Sequence, residues 1–195
     1  MNKQDVIEFF DRLAPGWDGD MIRSDAIIAT ILDGAEVSKG KKILDVACGT
    51  GVLFPDYLAR QVASVTAVDI SPEMAKIAAR KFPGENIQVL CADVEQLPRQ
   101  PQYDCIMIYN AFPHFPYPEN LIRILSEMLL PGGTLTVAHG MSRAQIDHRH
   151  EGPASKVSIG LMHEDDLAAI MEKHLTVTVK CSTDRMYQVT AKKDT

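Results

Sequence analysis

The sequence predicts a doubly wound α/β fold: a seven-stranded, mostly parallel sheet with helices on both faces and a terminal hairpin that adds an antiparallel strand. Three observations predict it. Short apolar runs alternate with helical stretches between residues 42 and 139. A glycine turn, Gly49-Thr50-Gly51, follows the first of those runs. Two alternating runs, parted by Ser182-Thr183-Asp184, lie beyond the last helical stretch.

Each element has its own signal. Residues 5–13 place Val6, Phe9, Phe10 and Leu13 on one helical face, and Ala14-Pro15-Gly16 ends the stretch. Residues 24–33 are helical, with Ser24 as a cap and Ile27, Ile28, Ile31 and Leu32 on one side. The first strand is 42–47, and the glycine turn leads from it into a helix that runs to about Arg60. The second strand is 64–69. Ser71-Pro72-Glu73 then opens a helix, because Ser71 can cap it and Pro72 suits its first position. Strands follow at 86–91 and 103–109, the latter nearly all apolar, as expected for burial on both faces. Residues 119–129 carry a helical stripe of Leu121, Ile124, Leu125, Met128 and Leu129, and Pro131-Gly132-Gly133 separates it from a fifth strand at 134–139. Residues 140–160 are polar and histidine-rich with no firm period. A helix at 164–174 and the strands 175–181 and 186–191 complete the pattern.

The 195 residues are enough for one domain with a full core. The expected organisation is a single domain over 1–195: a helical lid or flank at 1–40, a cofactor-binding core at 41–140, and a substrate-side loop with the terminal hairpin at 141–195. A hydrophobic content of 46% with 24% charged residues suits a globular protein. The net charge of -6 argues against a nucleic-acid partner, which demands a basic face. No apolar run approaches the roughly 18 residues of a membrane span, and no signal-peptide core follows Met1-Asn2-Lys3, so a cytoplasmic location is expected. Cys48, Cys91, Cys105 and Cys181 are isolated in apolar runs without any CxxC pair, and read as reduced core thiols.

In doubly wound sheets a ligand binds beyond the carboxyl ends of the strands, where the strand order reverses. Gly49 and Gly51 let the chain turn sharply there and approach a ligand closely. Asp69 ends the second strand, 20 residues after Gly49, where a carboxylate can accept hydrogen bonds from ribose hydroxyls. Two details set this turn apart from a dinucleotide site. Phe54 stands where the dinucleotide fingerprint has its third glycine. Asp45, just before the turn, suits a cationic ligand and opposes a diphosphate. A nicotinamide-dependent oxidoreductase is disfavoured on both grounds.

The run Ile43-Leu44-Asp45-Val46-Ala47-Cys48-Gly49-Thr50-Gly51 resembles the first motif of the class I S-adenosylmethionine-dependent methyltransferases. Ala67-Val68-Asp69-Ile70-Ser71 is similar to their ribose-binding block, and Cys91-Ala92-Asp93-Val94 to their adenine-binding block. Leu130-Pro131-Gly132-Gly133-Thr134-Leu135 is similar to the segment that leads into their fifth strand. The four blocks stand in order over about residues 40–140, and the resemblance is to the small-molecule type. It implies a Rossmann-like sheet, S-adenosyl-L-methionine as cofactor, S-adenosyl-L-homocysteine as product, and methyl transfer to a small-molecule acceptor by in-line displacement. A non-catalytic cofactor-binding regulatory module of the same fold is the alternative.

The resemblance also implies residue roles. Asp45, Ala47, Cys48, Gly49 and Gly51 form the turn at the methionine part, with the Ala47 carbonyl meeting its ammonium. Asp69 binds the ribose, Ile70 and Met74 flank the adenine, and Asp93 with the Val94 backbone meets the adenine edge. Asn110, just past the fourth strand, lies near the methionine end.

On the acceptor side, His114 and His139 are the candidate bases, because imidazole titrates near neutrality. Phe9, Phe10 and Trp17 can close an apolar pocket from the N-terminal side, as in related enzymes with an N-terminal lid. Arg143 or Arg149 can meet an anionic substrate. His139, His148 and His150 do not have a metal site's spacing, and no metal is expected. Asn110-Ala111-Phe112-Pro113 is a poor substitute for an Asn-Pro-Pro-Tyr block, which argues against methylation of nucleic-acid bases. The chain is expected to be a monomer or homodimer without a membrane span.

Overall fold

The computed structural model describes residues 1–149 and 152–195. Its centre is one sheet of seven strands: β1 (Lys42–Val46), β2 (Ser64–Asp69), β3 (Ile87–Cys91), β4 (Tyr103–Tyr109), β5 (Leu129–His139), β6 (Thr176–Ser182) and β7 (Tyr187–Lys192). The spatial order is β3-β2-β1-β4-β5-β7-β6. The first five strands pair in parallel, and β7 runs antiparallel between β5 and β6. This is the predicted fold. The chain winds outward from β1 to β3, then returns to the centre to lay down β4. The neighbours β1 and β4 therefore mark the switch point.

Side chains alternate across the central strands with a period of two. Ile43, Cys105 and Met107 point to a layer built with α2 (Asp25–Gly34) and α3 (Phe54–Ala59). Leu44, Val46, Ile106 and Ile108 point to the opposite layer, with α5 (Pro118–Met128) and α7 (Glu164–Met171). Both layers bury aliphatic and aromatic side chains, the dominant favourable term in folding. On the first face, α4 (Pro72–Lys81) adds Ala78; Ser71 caps this helix by accepting the Met74 N–H at 3.1 Å.

Three expectations are corrected. The fifth strand begins at Leu129 and carries Pro131-Gly132-Gly133 within it, at a shift in register opposite Tyr103 and Cys105. A bulge accommodates the proline there. The segment 140–160, read as irregular, holds α6 (Arg143–Arg149) and a tight helical turn at Gly152–Val157. Short polar helices of this kind have too few turns to show a period. Not all the cysteines are in the core: Cys48 and Cys105 are buried, Cys181 is half-buried and Cys91 is exposed on the edge strand β3. No helix among the described residues is long and apolar enough to cross a membrane.

Gly133 makes the bulge possible. A Cβ there would stand 2.9 Å from the Asp104 and Leu130 carbonyl oxygens. Gly133→Ala is expected to destabilise the fold by about 1–3 kcal/mol, the usual cost of overpacking. Urea denaturation measures this, and an unchanged midpoint would contradict the close approach.

Candidate functional site

A cavity of about 490 Å³ opens at the carboxyl ends of β1, β2 and β4 and the loop after β3, in the size range of small-molecule sites. The N-terminal segment covers it, comprising α1 (Lys3–Leu13) and the residues up to Ile22. Of the residues singled out from sequence, Ala47, Cys48, Gly49, Asp69, Ile70, Met74, Asp93, Val94, Asn110 and His114 line this cavity. Asp45, Gly51 and His139 do not.

Left-handed backbone shapes the floor. Ala47, Gly49 and Gly51 have φ of 53°, 56° and 85° at the end of β1, and Asn110 has φ of 56° at the end of β4. For Ala47 and Asn110 this conformation costs of order 1–3 kcal/mol, which the surrounding packing must hold in place. A Cβ on Gly51 would meet the Phe54 ring at 2.6 Å. Gly51 thus packs against a buried phenylalanine beneath the turn, while Gly49 faces the cavity. The Asn110 amide oxygen accepts the Gly140 N–H at 3.0 Å and joins the loops after β4 and β5.

Three carboxylates have three different settings. Asp69 is buried; one oxygen accepts the Gly49 N–H at 2.8 Å and the other the Ser71 N–H at 2.9 Å. Burial raises its pKa, the two N–H donors lower it, and nearby Asp11 raises it again, with a net rise. Each oxygen retains a second lone pair, and the residue lines the cavity. Asp93 accepts the Glu95 N–H through one oxygen and the Lys3 ammonium through the other. Asp45 was expected to face a cationic ligand. The strand's alternation instead turns it, like Ile43, away from the cavity and into the layer with α3. Burial, followed by the charge of Asp69, pushes its carboxyl from 3.8 up to about 8, and the Tyr57 hydroxyl pulls back part of that rise.

The two histidines also separate. His114 lines the cavity, and its Nδ1 lies 2.6 Å from the Val157 carbonyl oxygen. A carbonyl only accepts, so Nδ1 carries the hydrogen and Nε2 holds the lone pair in the neutral ring. The Phe10 ring meets His114 edge-on at 4.9 Å between centroids. His139 is fully buried and lies edge-on to Tyr187 at 6.0 Å. It shares the β5 face of Leu135 and Val137, which points to the layer under α7, so it does not reach the cavity. His148 is on α6, and His150 lies outside the described residues. Among the described residues, no group of three or more histidines, cysteines or acidic residues is placed to hold a metal ion.

Sequence reasoning missed how the N-terminal segment is tied down. Lys3 pairs with Asp93 and Glu95 after β3. Asp11 accepts the Ser71 hydroxyl and the Glu73 N–H after β2. Asp18 accepts the Thr50 hydroxyl at 2.6 Å after β1 and pairs with Lys81. The partners are 90, 60 and 32 residues apart, so no local pattern announces them. Trp17 lies above the turn, its Nε1 4.0 Å from where a Gly49 Cβ would be.

Asp45 makes stability pH-dependent. Between its unfolded value and about 8 the folded protein keeps a proton that the unfolded chain has released. Its stabilising contribution is therefore full at low pH and is lost as pH rises toward 8. Asp45→Asn is expected to flatten the fall in melting temperature between about pH 5 and 8. Parallel curves for the variant and its parent would refute this origin.

Residues 43–133 match a methyltransferase domain family. A ubiquinone biosynthesis O-methyltransferase of Xylella fastidiosa (strain 9a5c) is 38% identical over 103 residues, covering 51% of this chain and 42% of the relative. The chain thus spans under half the length of the curated relatives it matches. Among solved structures, N-methyltransferase NodS from Bradyrhizobium japonicum WM9 in complex with S-adenosyl-L-homocysteine superposes with a TM-score of 0.74. It is 14% identical, with 99% of each chain covered. The 1,6-didemethyltoxoflavin-N1-methyltransferase of Burkholderia thailandensis, with 1,6-didemethyltoxoflavin and S-adenosylhomocysteine bound, superposes with a TM-score of 0.73 at 20% identity. That match covers 98% of this chain and 88% of the other. At these identities the two structures speak for the fold alone.

Proposed function

We propose that this chain, whose residues 43–133 match a methyltransferase domain, is a class I S-adenosylmethionine-dependent methyltransferase that transfers a methyl group from S-adenosyl-L-methionine to a small-molecule acceptor. The observation that carries this reading is the cavity at the switch point, where a left-handed glycine turn and the carboxylates of Asp69 and Asp93 share one wall. We read 1–195 as one methyltransferase domain. In it, 1–40 flanks and covers the site, 41–140 holds the cofactor, and 141–195 supplies an acceptor-side segment and the terminal hairpin.

The residues present fit the cofactor. Gly49 lines the cavity and, lacking a Cβ, lets the methionine part approach the turn under Trp17, with Ala47 and Cys48 beside it. Asp69 lines the cavity with a lone pair to spare on each oxygen for ribose hydroxyls. Ile70, Met74 and Val94 offer apolar walls for the adenine, and Asp93 an acceptor for its amino group. Lys3 keeps Glu95 as its partner when an adenine amino group takes the Asp93 oxygen. Bound there, the cofactor supplies an electrophilic methyl group on a sulfonium, whose S–CH3 bonding pair stays on sulfur as the acceptor atom forms the new bond.

The chain's own part is to orient, to exclude water and to move a proton. Phe10 and Trp17 cover the cavity from the N-terminal side and keep it apolar. His114, with Nδ1 held by the Val157 carbonyl, presents Nε2 as the acceptor for a hydroxyl proton.

Two variants test the reading. Asp69→Ala is expected to weaken S-adenosylhomocysteine binding more than tenfold by calorimetry, since hydrogen bonds to a charged group are lost. The Gly49 N–H loses its acceptor as well, so a lower melting temperature should accompany the change. Unchanged affinity in a folded variant would sink the assignment. His114→Ala should keep cofactor affinity and lose at least about a hundredfold in kcat, the lower range for a general base. An unaltered kcat removes His114 from that role.

A further inference from the structure

We propose that the acceptor at this site is a small aromatic molecule bearing an anionic group, and that Arg149 is the residue that binds the anion. The inference rests on the methyltransferase reading and goes on to the half of the cavity that the cofactor motifs leave unassigned.

The first support is the wall. Phe10 sits at the centre of an edge-to-face series, 5.3 Å from Phe9, 5.6 Å from Trp17 and 4.9 Å from His114. All four rings line the cavity, and Phe115 adds a fifth. Rings so arranged present faces and edges to a planar partner, and π geometry rewards an aromatic ligand beyond simple burial.

The second support is charge. The lysine and arginine residues lining the cavity are Lys3 and Arg149. Lys3 is neutralised by Asp93 and Glu95. Arg149, on the last turn of α6, has Ile146 and Ala154 as fellow lining residues. Among the described residues it makes no ion pair or hydrogen bond. Arg143, the other arginine of the helix, does not line the cavity; its charge acts on Tyr187. In a chain of net charge -6, a lone guanidinium at an apolar mouth is a local attraction for anions. Its planar fork matches a carboxylate or a phosphate with two hydrogen bonds.

The third support is size. About 490 Å³ must hold cofactor and acceptor together, which suits a compact acceptor portion such as a single ring. His114 stands on the turn after β4 and Arg149 on α6, so the acceptor's hydroxyl and its anion are held by separate elements. The hydroxyl proton passes to Nε2 of His114, and the anion takes no part in bond making.

Binding can be read without turnover. The full chain, saturated with S-adenosylhomocysteine, is titrated by calorimetry with para-hydroxybenzoate, its methyl ester, para-hydroxyphenyl phosphate and the corresponding saturated cyclohexane carboxylate. The two aromatic anions should bind about tenfold or more tighter than the ester, the scale of a charge-assisted pair. The saturated acid should bind more weakly than the benzoate. Arg149→Met should bring the acid-to-ester preference close to one at an unchanged melting temperature, and Arg149→Lys should restore part of it. An ester as tight as the acid, a saturated acid as tight as the benzoate, or an unchanged preference in Arg149→Met overturns the proposal. Failure of S-adenosylhomocysteine itself to bind would instead sink the methyltransferase reading, so the two failures are told apart.

Discussion

The Asp69 carboxylate accepts the Gly49 N–H through one oxygen and the Ser71 N–H through the other, and the rest of the ligand edge hangs on that pair of bonds. Gly49 belongs to the turn after β1, and Ser71 begins α4 after β2. One buried side chain therefore fixes two loops against each other at the switch point. Hydrogen bonds to a buried carboxylate are the strong kind, and their loss leaves a desolvated charge. This explains why an acid can persist where burial alone disfavours its ionised form. The same constraint holds Gly49 in its left-handed conformation, with the cavity open above it.

From Ser71 the order passes outward. Its hydroxyl caps α4 through the Met74 N–H and donates to Asp11 of α1. Asp11 also accepts the Glu73 N–H, so a carboxylate sits at the positive end of α4, where the helix dipole favours it. The N-terminal helix is thus attached to the site by the same residue that the Asp69 carboxylate positions. Lys3 and Asp18 repeat the pattern on the loops after β3 and β1. The cover over the cavity is registered on three of the loops that surround it, those after β1, β2 and β3.

Most of the core was legible because its signals are local. The glycine turn, the capped helix at Ser71 and the apolar runs of β1, β2 and β4 each announce themselves within a few residues. Phe54, which stands where a dinucleotide turn has its third glycine, fills the space under Gly51 with its ring. Asp45 and His139 were misplaced for a common reason. Both belong to strands whose two faces are buried, and sequence does not say which face of such a strand meets the ligand. The segment 140–160 was opaque because α6 is a polar helix of seven residues, too short for a periodic stripe. The ties of the N-terminal segment were invisible because the partners lie far along the chain.

The nature of those ties bears on how the site admits ligands. Within α1 only Val6 is buried, whereas α5 buries six residues. The Lys3 side chain is 43% exposed, and exposed ion pairs contribute about 0–1 kcal/mol each. The cover is therefore held by polar contacts that open at small cost, over a sheet held by a much larger apolar core. Regions with few buried apolar contacts are the first to open locally. Phe9, Phe10 and Trp17 turn toward the cavity, so a ligand that fills it packs against the cover as well as the floor. On the proposed function, binding would supply the apolar contact that α1 lacks and so favour the closed arrangement by mass action. In this arrangement the N-terminal segment need not be rigid to exclude water. It has only to be tightest when both ligands are present.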